Sequence, residues 1–329
     1  MISLYPSLYD AFVCKADKCQ KTCCQRWEID IDDASAAAYL GEKGPLGDEL
    51  RQWVVETEEG HRFTFEDNGY CHFLKDGLCR LVLAKGEDYL CDICHAHPRF
   101  YAYLGDLELC GVGLACEHSV ELLLAPERQV LESETGLTQT VPWTDGQLYF
   151  REELDQETIE LLEEDGLDAT PRADVSLADI LLDLGLEVAE ETVDYAPLIT
   201  RAGQLDPVYI DRILEAMGQT EAINQEWTQT LASVAAKKEE LAQELADSIL
   251  DQDQFYTYLN RFYQYIIYRQ LDQLEARPWQ DLVFYGLLNT TFVGLLALHY
   301  GEINRAMVDW SEQIEYNTYN VTLLLQIAG

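Results

Sequence analysis

The sequence predicts a mixed α+β protein that is mostly α. A small cysteine-rich, metal- or cluster-binding N-terminal domain is followed by an all-helical C-terminal domain. Three observations predict it. All ten cysteines lie between Cys14 and Cys116. The stretch 151–329 places apolar side chains at a helical period. The first third interleaves short helical pieces with strand and turn signals. The expected division is 1–125 for the cysteine domain, 126–150 for a junction and 151–329 for the helical domain.

The elements follow in chain order. Asp32 or Asp33 is a suitable N-cap for a helix over Ala34 to Tyr39, because a short carboxylate can accept from the orphan N–H groups of the first turn. GEKGPLG at 41–47 reads as a helix breaker. Arg62 to Phe65 fits a short strand. Asp76-Gly77 is a turn signal, and Leu78 to Ala84 has helical spacing. Phe100 to Leu104 and Leu107 to Cys110 flank Gly105-Asp106, which predicts a β-hairpin. Glu117 to Leu124 fits a helix stopped by Pro126. Residues 126–150 are weakly periodic.

Helices are then expected over Glu152 to Glu164, Leu177 to Glu191, Tyr209 to Met217, Gln225 to Leu250 and Asp253 to Leu274. Asp281 to Tyr300 is apolar on nearly all sides and is expected to be the central helix. Glu302 to Glu315 and Asn320 to Ile327 follow. The aromatic run FYTYLNRFYQYIIYRQ at 255–270 has the spacing of ordinary core.

Composition bounds the function classes. The 329 residues are 48% hydrophobic and 11% aromatic, which excludes disorder over most of the chain. The formal net charge is −38, and 42 of the 60 acidic side chains follow residue 100. Such a surface repels a phosphate backbone, and no basic patch offsets it, so no nucleic-acid partner is expected. A very soluble surface explains the acid, as does attraction of a basic or lysine-bearing partner. The opening residues do not resemble a signal peptide, so a cytoplasmic location is expected. The apolar run from Leu282 to Leu298 contains Asn289, Thr290 and Thr291 and falls short of the ~20 residues that a span needs. A buried core helix is expected there and no membrane span.

The cysteine spacing carries the chemistry. Cys14-x4-Cys19-x3-Cys23-Cys24 opens the chain. Cys71-x7-Cys79, Cys91-x2-Cys94 and Cys110-x5-Cys116 follow. In a reducing compartment, clustered thiols serve metal ligation or redox work more often than disulfides. Four thiolates suit either a tetrahedral zinc or an iron–sulfur cube, and softness alone does not separate the two. Ten thiols can supply two sites, or one site with spares. Cys91-Asp92-Ile93-Cys94-His95 matches the attachment pattern of c-type haem, but that chemistry belongs outside the cytoplasm. The C-x3-C-x2-C of radical S-adenosylmethionine enzymes is absent, because Arg26 stands where its third cysteine would be. Five of the six histidines also lie in this third. His72 and His95 each adjoin a cysteine, and a place beside the ligands or at the surface is expected for them. Phosphate-cradling and hydrolase motifs are absent, and Gly111-Val112-Gly113 is a lone G-x-G.

Three blocks in order resemble the flagellin lysine N-methylases, related to a wider group of zinc- or iron-chelating cysteine proteins. FVCKADKCQKTCCQRWEIDID at 12–32 resembles that family's opening through Cys14, Cys19, Cys23, Cys24, Trp27, Ile29 and Asp30. CHFLKDGLCRLVLAKGEDYLCDICHAHPRFY at 71–101 is similar to its second block, with Cys71, Phe73, Leu74, Gly77, Leu78, Cys79, Gly86, Cys94, Pro98 and Arg99 in place. GVGLACEHSVELLL at 111–124 resembles the third, carrying Cys116 and Glu117. VDWSEQIEYNTYNVTLLL at 308–325 is more faintly similar. The resemblance covers about residues 1–125 well and the helical part loosely.

It implies methyl transfer from S-adenosylmethionine to the ε-amine of flagellin lysines, or of another lysine-bearing protein. It also implies a cysteine-bound iron–sulfur cluster, [4Fe-4S] by expectation, with zinc as the alternative. The implied ligands are drawn from Cys14, Cys19, Cys23, Cys24, Cys71, Cys79, Cys94 and Cys116, which leaves Cys91 and Cys110 as the spares. Glu117 and Arg99 are the catalytic candidates. The competing expectation is a non-catalytic cysteine-rich metal-binding module with a helical partner-docking domain.

Overall fold

The computed structural model describes residues 2–21, 23–24, 29–58, 60–67, 69–125, 130–132, 138–140, 148–166, 175–186 and 193–328. It is mixed α+β, with helix predominating and a helical C-terminal region. The chain forms two compact units. Residues 13–100 and 116–118 make one, here the thiol unit; residues 1–12, 101–115 and 119–329 make the other, the helical unit. The units do not follow a single cut in the sequence.

The thiol unit is built on a three-stranded antiparallel sheet. Gly60–Phe63 lies between Ile29–Ile31 and Val54–Thr57. Asp32 caps the helix Asp33–Gly41 by accepting from the Ser35 N–H at 2.8 Å. A second helix, Gly44–Trp53, starts inside the expected breaker. Pro45 sits in its first turn, where the missing N–H costs nothing and the fixed φ suits a helix. Ile29, Ile31, Tyr39, Leu50, Val54, Phe63 and Phe73 form the buried core. Asp76 and Gly77 both take positive φ, 52° and 78°, and close a tight hairpin between Leu74–Lys75 and Leu78–Cys79. That pairing delays the following helix to Arg80–Lys85, so Leu78 is strand, not helix.

The helical unit contains a five-stranded sheet. Ile2–Pro6 pairs antiparallel with Tyr149–Leu154 and parallel with Leu107–Val112. The expected hairpin of Arg99–Leu104 and Leu107–Val112 forms one edge, and Val175–Ser176 the other. An all-helical C-terminal region is therefore corrected. Tyr149–Leu154 is strand because the opening segment offers it a partner ladder, and Phe150 buries completely on the core face. The helix expected from Glu152 begins instead at Gln156, capped by Asp155 accepting from the Thr158 N–H at 2.8 Å.

Helix Gln254–Arg269 lies against this sheet. The Tyr268 hydroxyl donates to the carbonyls of Leu4 and Cys110, both at 2.8 Å, and its ring lies 4.2 Å from that of Phe150. Leu259, Phe262, Tyr263, Tyr265, Ile266, Ile267 and Tyr268 are buried, so the aromatic run is core as expected. Full burial of each such side chain contributes ~2 kcal/mol.

Helix Trp279–Tyr300 is the centre of the bundle. By length and composition it could cross a membrane, but 72% of its apolar window is buried within the fold. Its polar Asn289 is satisfied internally: Trp310 Nε1 donates to Asn289 Oδ1, and Asn289 Nδ2 donates to the Tyr285 carbonyl, each at 2.8 Å. Pairing them removes the penalty of burying polar atoms.

Several expected helices divide or shorten. Gln225 to Leu250 is two helices, Gln225–Ala236 and Lys238–Asp251, broken at Lys237. Gln254–Arg269 gives way to a 3₁₀ turn over Leu271–Glu275, and Ile303–Trp310 to a π turn over Ser311–Glu315. Leu177–Asp183 realises the first half of its expected helix; 187–191 lie outside the described residues, as do Trp27, Pro126 and most of the 126–150 junction.

Candidate metal centre

Nine of the ten cysteines belong to the thiol unit, and they fall into two neighbourhoods. The first contains Cys14, Cys19, Cys23 and Cys116. Ala16–Lys18 forms a 3₁₀ turn, and the Ala16 N–H donates to Cys14 Sγ at 3.4 Å. Glu117 then gathers the segment. Its carboxylate accepts from Lys15 Nζ at 2.8 Å and from the backbone N–H groups of Gln20 and Lys21, both at 3.0 Å. Those three bonds bring the 15–21 loop to the residue beside Cys116. Burial pushes the Cys19 thiol up to about 11, and the negative charges of Glu117, Cys116 and Cys14 add to the shift. Cys23 is also pushed up, chiefly by its hydrogen bond to Cys24.

The second neighbourhood contains Cys24, Cys71, Cys79, Cys91 and Cys94. All five pack into the buried core of the thiol unit, with Cys91 fully buried. The Cys71 N–H donates to the Cys24 carbonyl at 2.9 Å, which fixes the two segments together. Asp32 serves twice: Oδ1 caps its own helix, while Oδ2 accepts from the Asp92 N–H at 3.1 Å. That second bond holds the first turn of Asp92–Ala96, the short helix that carries Cys94. Cys91 and Cys94 form a hydrogen-bonded thiol pair, which lowers Cys91 and raises Cys94. Burial pushes Cys71 up to about 12.

Cys110 stands apart. It belongs to the helical unit, is fully buried, and has its pKa raised to about 12 by burial.

Sulfur is the donor type that a thiophilic ion or an iron–sulfur cluster takes. Among the described residues, no three His, Cys, Asp or Glu side chains are close enough together to hold a metal ion as they stand.

Other candidates sit elsewhere. The ring nitrogens of His72 face carboxylates, Nδ1 at 2.9 Å from Glu66 and Nε2 at 3.4 Å from Glu49, and the ring stacks on Trp53 at 4.3 Å. That arrangement positions a loop beside Cys71. His95 is exposed. Arg99 opens the strand Arg99–Leu104 and is half-buried. The contacts of Glu117 are those of a clamp, with its carboxyl held below the usual range against the opposing effect of burial by Lys15 and the two backbone donors. Sequence reasoning missed the second bond of Asp32. An N-cap signal marks Asp32, but nothing local marks Asp92 as its partner.

Compared with protein-family models, with characterised proteins and with solved structures, the chain matches none of them.

Proposed function

We propose that this chain is an S-adenosylmethionine-dependent protein-lysine N-methyltransferase acting on flagellin, with an iron–sulfur cluster held by cysteines of the thiol unit. The observation that carries the reading is the gathering of nine thiols into one compact unit, with Cys116 brought to the Cys14–Cys23 loop by the Glu117 clamp. It joins the order of the three cysteine blocks, which resembles the flagellin lysine N-methylases.

Held by cysteines of the thiol unit, a [4Fe-4S] cluster would supply a Lewis-acidic seat for S-adenosylmethionine. The remaining work falls to the protein. The lysine ε-amine must shed its proton before its lone pair can attack the methyl carbon. The carbon–sulfur bond then breaks, its electron pair stays on sulfur, and S-adenosylhomocysteine leaves. The surplus of acidic side chains after residue 100 favours approach of a lysine-bearing partner and weakens that approach as salt rises.

One observation favours a second reading. The three donors on Glu117 leave it as a clamp. A non-catalytic zinc- or iron-binding module with a helical docking region needs nothing more of it. Incubation of anaerobically purified protein with flagellin and deuteriomethyl S-adenosylmethionine separates the two. Deuterated methyl groups on flagellin lysines, seen by peptide mass mapping, support the enzyme. Flagellin that binds without acquiring label supports the module.

A further inference from the structure

We infer that an open, tyrosine-rich patch on the sheet of the helical unit is a docking surface for a cationic, lysine-bearing segment of a partner protein. The inference names where such a partner is held, and it rests on the proposed function only for the partner's lysines.

Strand register assembles the patch. Ser3 stands opposite Glu153 on one neighbouring strand and Glu108 on the other, and directly opposed residues share a face. Leu4 and Phe150 point the other way and are buried, on the side that Tyr268 covers. The outer strand Arg99–Leu104 adds Tyr103. Its hydroxyl donates to Glu108 Oε1 at 3.2 Å, while the Ser3 hydroxyl donates to Glu108 Oε2 at 2.7 Å. Tyr101 lies two residues before Tyr103 on the same strand and so shares its face. The Tyr101 hydroxyl is 2.8 Å from that of Tyr9, whose ring lies 5.0 Å from that of Tyr5.

The chemistry of the patch selects a cation. Tyr101 and Tyr103 are 52% and 56% exposed, and Glu153 is exposed. Exposed tyrosines gathered on one face mark an interface, because the ring supplies contact area at small entropic cost. Carboxylates and the negative faces of the rings both attract an ammonium group. Glu108 has lone pairs beyond those used by its two hydroxyl donors. Arg151, opposite Tyr5 in register, is committed to Asp10 at 2.7 Å rather than to either glutamate. A second copy of the chain is the poorer occupant, since each copy carries a net charge of −38.

The test uses the full chain with two probes, a fluorescein-labelled oligolysine peptide and flagellin. Peptide binding is read by fluorescence anisotropy. A chain this acidic attracts any polycation, so variants of equal charge are compared. The double variant Glu108→Gln with Glu153→Gln is expected to weaken binding about tenfold, and Tyr101→Ala with Tyr103→Ala about fivefold. Glu239→Gln with Glu240→Gln removes the same charge from an exposed helix turn elsewhere and should change binding less than about twofold. The tyrosine pair is exposed and carries no charge, so it decides the matter even where Glu108→Gln disturbs the fold. Four results overturn the inference: no binding by the wild type, no loss in the patch variants, equal losses in patch and control variants, or a wild-type dimer that Tyr101→Ala with Tyr103→Ala converts to monomer in sedimentation. Flagellin separates this surface from the proposed activity. The expected peptide pattern beside unlabelled flagellin defeats the activity and leaves the surface standing. Flagellin labelled at the wild-type rate by both patch variants, well below saturation, defeats the surface and leaves the activity standing.

Discussion

Glu315 offers the sharpest test of how the helical unit is held together. Its side chain is 1% exposed. One carboxylate oxygen accepts from the Tyr265 hydroxyl at 2.5 Å and from Arg269 Nε at 3.1 Å. The other accepts from the Ser311 hydroxyl at 2.5 Å and from the Leu114 N–H at 3.2 Å. Four residues from three segments, Leu114, the Gln254–Arg269 helix and the Ser311–Glu315 turn, therefore meet on one group. Glu315→Gln keeps the shape, removes the charge, and replaces one oxygen with an N–H₂. Whichever way the amide turns, one pair of donors faces another donor. Arg269 also loses the charge it pairs with. Hydrogen bonds to a charged group contribute ~1.5–3 kcal/mol each, and breaking a buried ion pair costs ~3–5 kcal/mol. These figures overlap and do not add. Arg269 is 25% exposed and can recover some hydration, which places the expected loss near ~3 kcal/mol. Urea unfolding of the full chain, followed by circular dichroism, measures it. A Glu315→Gln midpoint that costs less than about 1 kcal/mol at an unchanged m-value would refute the argument.

Two further predictions concern packing and pH. A Cβ added at Gly286 would lie 2.7 Å from Tyr263 Cε2 and 2.9 Å from Ile267 Cδ1, both in the core. Gly286→Ala gains ~1 kcal/mol of helix propensity but forces two helices apart at ~1–3 kcal/mol, so the melting temperature should fall; a rise would contradict the close approach. His97 has its pKa lowered by burial to about 4, from an ordinary 6.5. The folded state thus binds fewer protons than the unfolded chain between those values. Stability from this group is complete above about pH 6.5 and is lost as pH falls toward 4, by up to ~3 kcal/mol. His97→Gln should flatten that part of a pH–stability profile, and an unaltered slope would show that other groups cause it.

Much was legible in the sequence because it is written locally. Asp32 before Ala34 marks a helix start, Asp76-Gly77 marks a turn, Gly105-Asp106 marks a hairpin, and a stretch at 281–300 that is apolar on nearly all sides marks a central helix. Each depends on neighbours within a few residues, where backbone sterics and side-chain spacing leave few choices. The concentration of thiols before residue 117 likewise sets one region of the chain apart without any coordinates.

Contacts distant in sequence were decided only by the tertiary structure. Tyr149–Leu154 is strand because Ile2–Pro6 lies beside it, and no pattern within the segment names that partner. The expected Gln225 to Leu250 helix breaks at Lys237, although its apolar period runs on. Glu117 beside a cysteine reads as an acid near a reactive site. Nothing beside it in sequence shows that it also accepts from Lys15, Gln20 and Lys21, some 96 to 102 residues away. The physical reason is the same in each case. Closing a loop of a hundred residues costs little more entropy than closing one of fifty, so short-range preference does not select the partner. Selection falls to the hydrogen bonds and apolar surfaces that meet when the chain packs.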